Sequence, residues 1–343
     1  MAALADMVDW IRRARRIVPR EDRKVLLSPP RLIARFMRFG LHHHRGEVAP
    51  ASVEELGLDW ELVTLVLDLF RLAGKHYFRL RVEGVEKVPA KGPVLFVGNH
   101  NGGLVPTDGF FTAVALHDHF GRSRAMYALA HDFLFDDPLL RKYASKMGML
   151  RAGHESARHA FAAGNCVLVY PGSDLETFRP FHDRGKIVLG GRKGFIMLAL
   201  REGVPIVPVV TAGTHEQIIV LTRGDWLARV LHAHAWARTE VLPLMLALPW
   251  GLTSGFVPYW PLPAQTTLAF GEPISWPDLT PADADRPEVL ERCYHDVESR
   301  MQAMLDRLSK GRRFLLGQRK PSHGSRWPQI LRAGADIAAP APP

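Results

Sequence analysis

Apolar side chains recur at helical spacing over residues 58 to 74, where Leu62, Leu65, Val66, Leu69 and Leu72 share one face, so a helix is predicted there. From residue 77 onward the pattern changes to short β-rich runs: Tyr77 to Val82, Val94 to Val97, Met126 to Leu129, Val167 to Tyr170, Ile206 to Val210 and Thr266 to Phe270. Helical stretches lie between them. One begins near Thr107, one covers about His154 to Ala163 and stops at Gly164, and one covers about Arg192 to Arg201 and stops at Gly203. Gly just past a helix end is the expected stop, because it takes the left-handed conformation cheaply. A last helix is predicted over 287 to 308. Strands alternating with helices predict an α/β sheet.

The two flanks follow different patterns. Arg12, Arg13, Arg15 and Arg16 interrupt Trp10, Ile11, Ile17 and Val18, which excludes the unbroken apolar core of a secretory signal. The stretch reads as a basic amphipathic helix, and Leu32, Ile33, Phe36 and Met37 between Arg31, Arg35 and Arg38 form a second such piece. Such helices either lie in the headgroup plane of a bilayer or pack on the body. The longest uncharged stretch, Val241 to Gly271, exceeds the ~20 residues that cross a bilayer. Its prolines Pro243, Pro249, Pro258, Pro261 and Pro263 would break a straight helix, so a simple transmembrane span is rejected. With Trp250, Tyr259 and Trp260, this stretch is either an apolar rim at a membrane interface or a buried connector. The domain expectation is a helical region over 1–76, an α/β body over 77–308 and a basic, partly disordered tail over 309–343.

Composition narrows the class. With 47% apolar and 23% charged residues, the chain is a folded globular protein rather than a disordered one. Two cysteines, Cys166 and Cys293, exclude a disulfide scaffold and fit a reducing compartment. The net charge of +9 sits at the ends, since residues 1 to 50 carry 11 basic against 5 acidic side chains and residues 307 to 335 carry 8 against none. Residues 51 to 306 carry 25 against 29, so the body is mildly acidic. Basic ends suit an anionic surface, either lipid or nucleic acid. Anionic lipid is the expected partner, because the tail has only Phe314 and Trp327 to stack on bases.

The candidate chemistry begins where a buried strand runs into the polar, Gly-rich loop of Pro93 to Asp108 and places His100 at the strand's carboxyl edge. In open α/β sheets that edge binds ligands. Asp108 follows at the start of the next helix, within reach through Gly102 and Gly103. A His oriented by a carboxylate is a minimal general base. A second strand runs through Val167 into Pro171-Gly172-Ser173-Asp174-Leu175-Glu176 and delivers Glu176, Arg179, Arg184 and Lys186 to the same kind of edge. Ser173 lacks the G-x-S-x-G elbow of a hydrolase. No nucleotide-cofactor loop is present. His42, His43 and His44 lack the companion cluster a metal site needs.

These pieces, with Lys193-Gly194-Phe195 and Pro205-Ile206-Val207-Pro208-Val209 following in order, resemble the lysophospholipid and glycerolipid acyltransferase family, the PlsC-like 1-acylglycerol-3-phosphate acyltransferase superfamily. Gly148 to Gly164 is similar to the family's second block, and Pro261 to Ile274 to its closing strand. The resemblance covers about residues 77 to 276. It implies a mixed, mostly parallel sheet flanked by helices, and acyl transfer from acyl-CoA or acyl carrier protein to a glycerolipid hydroxyl. His100 matches the family's base and Asp108 its orienting acid, with no covalent enzyme intermediate. Asn101, Gly102 and Gly103 are candidates to hold the oxyanion. Arg151, Pro171, Gly172, Glu176, Arg179 and Lys186 are candidates for substrate binding. No cofactor or metal is expected beyond the acyl thioester co-substrate.

Two departures stand out. Seven residues separate His100 from Asp108 where the family has four, and the Pro-Gly-Ser-Asp-Leu-Glu stretch is closer to the diacylglycerol acyltransferase branch than to a phosphate-binding Glu-Gly-Thr-Arg. The chain is therefore expected to be a membrane-associated acyltransferase on the cytoplasmic face, or else a non-catalytic lipid-binding protein that keeps the fold.

Overall fold

A computed structural model describes residues 2–28, 31, 56–101, 106–233, 241–254, 257 and 259–318. A seven-stranded sheet forms its centre, in the order β1 (Arg81–Glu83), β10 (Thr267–Phe270), β6 (Ile206–Ala212), β2 (Val94–Gly98), β5 (Cys166–Val169), β3 (Met126–Ala130) and β4 (Met149–Arg151). Only the β10–β6 pair is antiparallel. The protein is therefore an α/β fold with a mixed, mostly parallel sheet.

Burial on both faces makes the central strands unbroken apolar runs. On one face Phe96, Leu168, Val207 and Val209 pack with Phe111 of α4 (Thr107–Phe120), alongside α3 (Trp60–His76). On the other, Leu95, Val97 and Val167 meet Ala157 and Phe161 of α7 (His154–Ala162), Phe195 and Ile196 of α9 (Gly194–Glu202), and Cys293 and Val297 of α11 (Pro287–Ser309). Helices α7 and α9 stop as expected, with Gly164 at φ +74° and Gly203 at φ +61°.

Helix α1 (Ala2–Ile17) packs on α3, where Trp10 Nε1 donates to the Leu65 carbonyl at 2.7 Å and Arg13 pairs with Asp68 at 2.7 Å. Its Leu4, Met7, Val8 and Ile11 remain exposed. Helix α2 (Arg20–Leu26) follows, and the second amphipathic piece expected after Pro30 lies outside the described residues, as do His42, His43 and His44. No helix among the described residues is long and apolar enough to cross a membrane.

The structure departs from the sequence reading at four places. The strand expected from Tyr77 begins only at Arg81, because Tyr77 and Phe78 donate their amides to the Ala73 carbonyl and Leu80 to that of Gly74, closing the end of α3. The edge strand β4, of three residues, was too short to read from sequence. The uncharged stretch Val241–Gly271 is more than a connector: its β8 (Leu244–Ala247) and β9 (Gly251–Ser254) join β7 (Ile219–Thr222) in a second, antiparallel sheet before the chain enters β10. Residues 309 to 318, assigned to the tail by sequence, fold back on the body: Arg312 pairs with Glu216 at 3.1 Å and Leu315 N donates to the same carboxylate. The rest of the tail lies outside the described residues.

Candidate active site

His100 lies just past the carboxyl end of β2, and Asp108 in the first turn of α4. Seven intervening residues do not separate them, since His100 Nδ1 lies 3.0 Å from Asp108 Oδ2. A carboxylate oxygen only accepts, so Nδ1 carries the proton and Nε2 keeps the lone pair. Two backbone amides converge on the same carboxylate, Asn101 N on Oδ2 at 2.7 Å and Gly109 N on Oδ1 at 2.8 Å. The acid side chain is buried, while His100 retains 21% exposure.

The strand end that carries His100 is fixed by side chains acting as backbone. Asn99 Oδ1 accepts from Thr211 N at 2.8 Å and its Nδ2 donates to the Thr211 carbonyl at 3.0 Å, which extends the β2–β6 ladder by one step. Asn101 Nδ2 donates to the Asn99 carbonyl and to Thr211 Oγ1, each at 3.1 Å. Glu176 clamps two segments, accepting from His100 N at 2.7 Å and from Val188 N at 3.0 Å.

Arg179 is buried and meets five acceptors with its five N–H donors: the carbonyls of Glu176, His100, Asp183 and Arg184, and Asn101 Oδ1. His215 completes this layer, its Nε2 donating to the Arg179 carbonyl at 2.9 Å.

Tyr170 stacks on the imidazole with ring centroids 4.4 Å apart and planes 21° apart. Gly98 makes room for it, because a Cβ there would stand 2.4 Å from the Tyr170 ring. Gly172 is similarly enclosed, 2.0 Å from the Val188 carbonyl oxygen to any added Cβ.

Burial tends to lower the pKa of His100, but the charge and hydrogen bond of Asp108, helped by Glu176, more than offset it, leaving the group above its ordinary 6.5. Burial raises Glu176 to about 7 against the opposing pull of Arg179 and its two amide donors. His215 is driven well below its ordinary value by burial and by Arg179, and so stays neutral.

Beside His100 opens a largely apolar cavity of about 510 Å³ between α3, α4 and the sheet. Val63, Val66, Phe110, Ala113, Leu116 and Met126 are among its walls. It runs from His100 at the carboxyl edge of the sheet to Met126 at the amino end of β3, a five-residue strand that spans about 17 Å.

The structure thus brings His100, Asp108, Asn101, Glu176 and Arg179 into one cluster but sets other sequence candidates apart. The Asn101 amide, read as an oxyanion donor, already serves Asp108, and Gly102 and Gly103 lie outside the described residues. Glu176 and Arg179, read as substrate ligands, are buried and bonded within the protein. Arg151 pairs with Asp132 at 3.4 Å and Asp136 at 3.0 Å. Lys186 is exposed and bound to Asp183. Pro171 is buried in the turn before Gly172. Sequence reading missed Tyr170, Asn99 and Thr211. The one signal for Tyr170 was an aromatic residue next to Pro171, with Gly98 as its counterpart on the neighbouring strand.

Residues 79–212 match the family described as Acyltransferase, a span that contains the whole of this cluster except His215. An uncharacterised protein of Mycobacterium tuberculosis (strain ATCC 25618 / H37Rv) is 36% identical over 263 residues, which cover 76% of this chain and 71% of that protein. Human diacylglycerol O-acyltransferase 2 is 26% identical over 159 residues, covering 42% of this chain and 38% of that protein. The crystal structure of the 1-acyl-sn-glycerophosphate acyltransferase of Thermotoga maritima aligns over 82% of this chain and 96% of its own, at 19% identity and a TM-score of 0.44. Over residues 79–212 the chain thus carries an Acyltransferase-family domain.

Proposed function

We propose that the protein transfers a fatty acyl group from a thioester, acyl-CoA or acyl carrier protein, to the hydroxyl of a glycerolipid, with His100 as general base and Asp108 as the residue that positions it. The observation that carries this reading is the His100–Asp108 pair at the mouth of an apolar cavity. His100 Nε2 takes the acceptor's hydroxyl proton as its oxygen attacks the thioester carbon. The tetrahedral intermediate then collapses with loss of the C–S bond, and the leaving thiolate takes the proton from the imidazolium, which regenerates neutral His100. Asp108 stabilises that imidazolium, and Tyr170 holds the ring plane from its stacked side. No enzyme nucleophile takes part. The cavity takes acyl chain.

Arg179 and Arg151, the arginines among the substrate-binding candidates, are engaged elsewhere, Arg179 by five internal acceptors and Arg151 by two carboxylates. This supports an acceptor without phosphate, mono- or diacylglycerol, over a lysophospholipid. The exposed apolar stripe of α1 and its exposed Arg12, Arg15 and Arg16 support peripheral attachment to an anionic membrane.

The test is ester formation by the purified protein, given acyl-CoAs with monoacylglycerol, diacylglycerol or lysophosphatidate and followed by mass spectrometry. Ester from the neutral acceptors, lost in a folded His100→Ala variant, is the expected result. Thioester left intact with every acceptor would refute the proposal, and a preference for lysophosphatidate would reverse the choice of acceptor.

A further inference from the structure

Sheet β7–β8–β9 carries apolar side chains on both of its faces. Along β8 and the residue after it, Met245 and Ala247 turn inward to a small core with Ile218, Val220 and Tyr259. The alternate residues Leu244, Leu246 and Leu248 stand outward, 39, 41 and 50% exposed. A half-buried strand ordinarily places polar residues on its outer face. The register extends the apolar row across the sheet, since Leu246 stands opposite Leu252 on β9 and Ile219 on β7. Trp250, Leu252 and Trp260 are likewise exposed, at 52, 60 and 65%, as are Trp226 and Val230 of helix α10 (Asp225–Val230), which follows β7, at 62 and 64%.

Such a patch, built from several elements, exceeds the scattered apolar residues normal on a soluble surface. No residue from Val241 to Gly271 is charged. Among the described residues, basic side chains flank its aromatic members along the chain: Arg223 and Arg229 lie three residues either side of Trp226, and Lys75 and Arg79 two residues either side of Tyr77, whose hydroxyl accepts from Trp260 Nε1 at 3.0 Å. Among the described residues there, Asp225 is an acid, and it pairs with Arg223 at 2.8 Å.

We infer that this sheet is a docking face for an anionic lipid bilayer, in addition to the attachment through α1, with Leu246, Trp250 and Leu252 in the acyl region and the flanking arginines at the headgroups. Leucine and tryptophan flanked by basic side chains fit a bilayer boundary, where aromatic rings and basic side chains each find their preferred depth. The placement also fits the acyl-transfer reading, on which the choice of a lipid partner rests. The sheet leaves the main sheet directly after the carboxyl end of β6, through Thr214–Gln217. Gln217 Oε1 accepts from Thr107 Oγ1 at 2.9 Å, next to Asp108, so the docking face is tied to the helix end that carries the acid.

The full-length protein is tested by flotation with vesicles of phosphatidylcholine alone and of equimolar phosphatidylcholine and phosphatidylglycerol. A Leu246→Ser, Trp250→Ser, Leu252→Ser variant is expected to lose partitioning to the anionic vesicles by about tenfold or more. It should keep wild-type turnover on a water-soluble short-chain thioester and acceptor. Unchanged flotation of the triple variant would overturn the inference. So would unchanged flotation combined with loss of a dimer in sedimentation, which would make the patch a self-association surface.

A variant that fails to fold is bypassed by labelling a single Leu252→Cys with an environment-sensitive dye, which is selective because Cys166 and Cys293 are buried. Blue-shifted emission, quenched by brominated lipid and absent from a label at Arg300→Cys, is the expected result. A Leu252 label that stays in water while the protein floats would refute the docking face. An immersed label on a protein that never consumes thioester would support docking and separately refute acyl transfer.

Discussion

Asp108→Asn isolates the contribution of the acid. Its carboxylate accepts three N–H groups, His100 Nδ1 and Asn101 N on Oδ2 and Gly109 N on Oδ1. Asparagine has one acceptor oxygen. Placed where Oδ2 stands, it keeps His100 and Asn101 but turns an amide NH₂ toward the Gly109 N–H, stranding a buried donor at a cost of roughly 1–3 kcal/mol. The larger effect is on chemistry. A hydrogen bond to a charged group contributes roughly 1.5–3 kcal/mol, so losing the charge that faces the imidazolium lowers kcat/KM by about 10- to 150-fold.

The pH behaviour gives a second signature. With Asp108 neutral, burial is no longer outweighed and the pKa of His100 falls, so the acidic limb of the rate profile moves to lower pH while its plateau drops. Stability has the matching sign. The His100–Asp108 pair contributes fully below the ordinary histidine value of 6.5 and fades as pH rises through the raised folded value, so the variant's deficit is larger at pH 5 than at pH 9. Thiol release from acyl-CoA, followed with a chromogenic disulfide across pH, supplies the rates, and thermal melts supply the stabilities. A folded variant with wild-type plateau and limb would refute the reasoning.

Other positions carry separate expectations. Gly98→Ala puts a methyl against the Tyr170 ring, destabilises by roughly 1–3 kcal/mol and lowers turnover by displacing the stacked ring; an unchanged melt and rate would contradict this. Glu176→Gln replaces one of two acceptors with a donor facing either the His100 or the Val188 amide, costing roughly 1–3 kcal/mol in denaturant titrations. Arg179→Lys offers three donors where five are used, so a fall in stability without change in acceptor preference is expected, whereas a selective loss with phosphorylated acceptors would make Arg179 a substrate ligand after all. Ala113→Leu narrows the cavity wall and should shift preference to shorter acyl chains, by ~0.8 kcal/mol for each methylene excluded, as read from a chain-length series.

The sheet was legible because its central strands are buried on both faces and therefore appear as unbroken apolar runs such as Val94–Gly98 and Ile206–Ala212. His100 and Asp108 were legible because a strand end and a helix start are local features. What the sequence concealed depends on pairing between distant segments. Nothing local says that Gly98 stands beside Tyr170, that Asn99 extends the ladder to Thr211, or that Arg179 turns inward to carbonyls instead of outward to a ligand. The Tyr77–Leu80 stretch has strand propensity, yet its amides close a helix. The second sheet escaped because its central strand β8, Leu244–Ala247, is apolar on both sides, which removes the period-two signal that marks a surface strand, and β9, Gly251–Ser254, carries a single apolar side chain.

The central claim, that His100 takes the acceptor's proton, is tested most directly by titrating its imidazole by NMR and comparing that midpoint with the acidic limb of kcat/KM for ester formation. Coincident midpoints above 6.5, both moving to lower pH in Asp108→Asn, are expected. An imidazole that titrates below 6.5, or a rate limb that stays in place when the imidazole's midpoint moves, would contradict it.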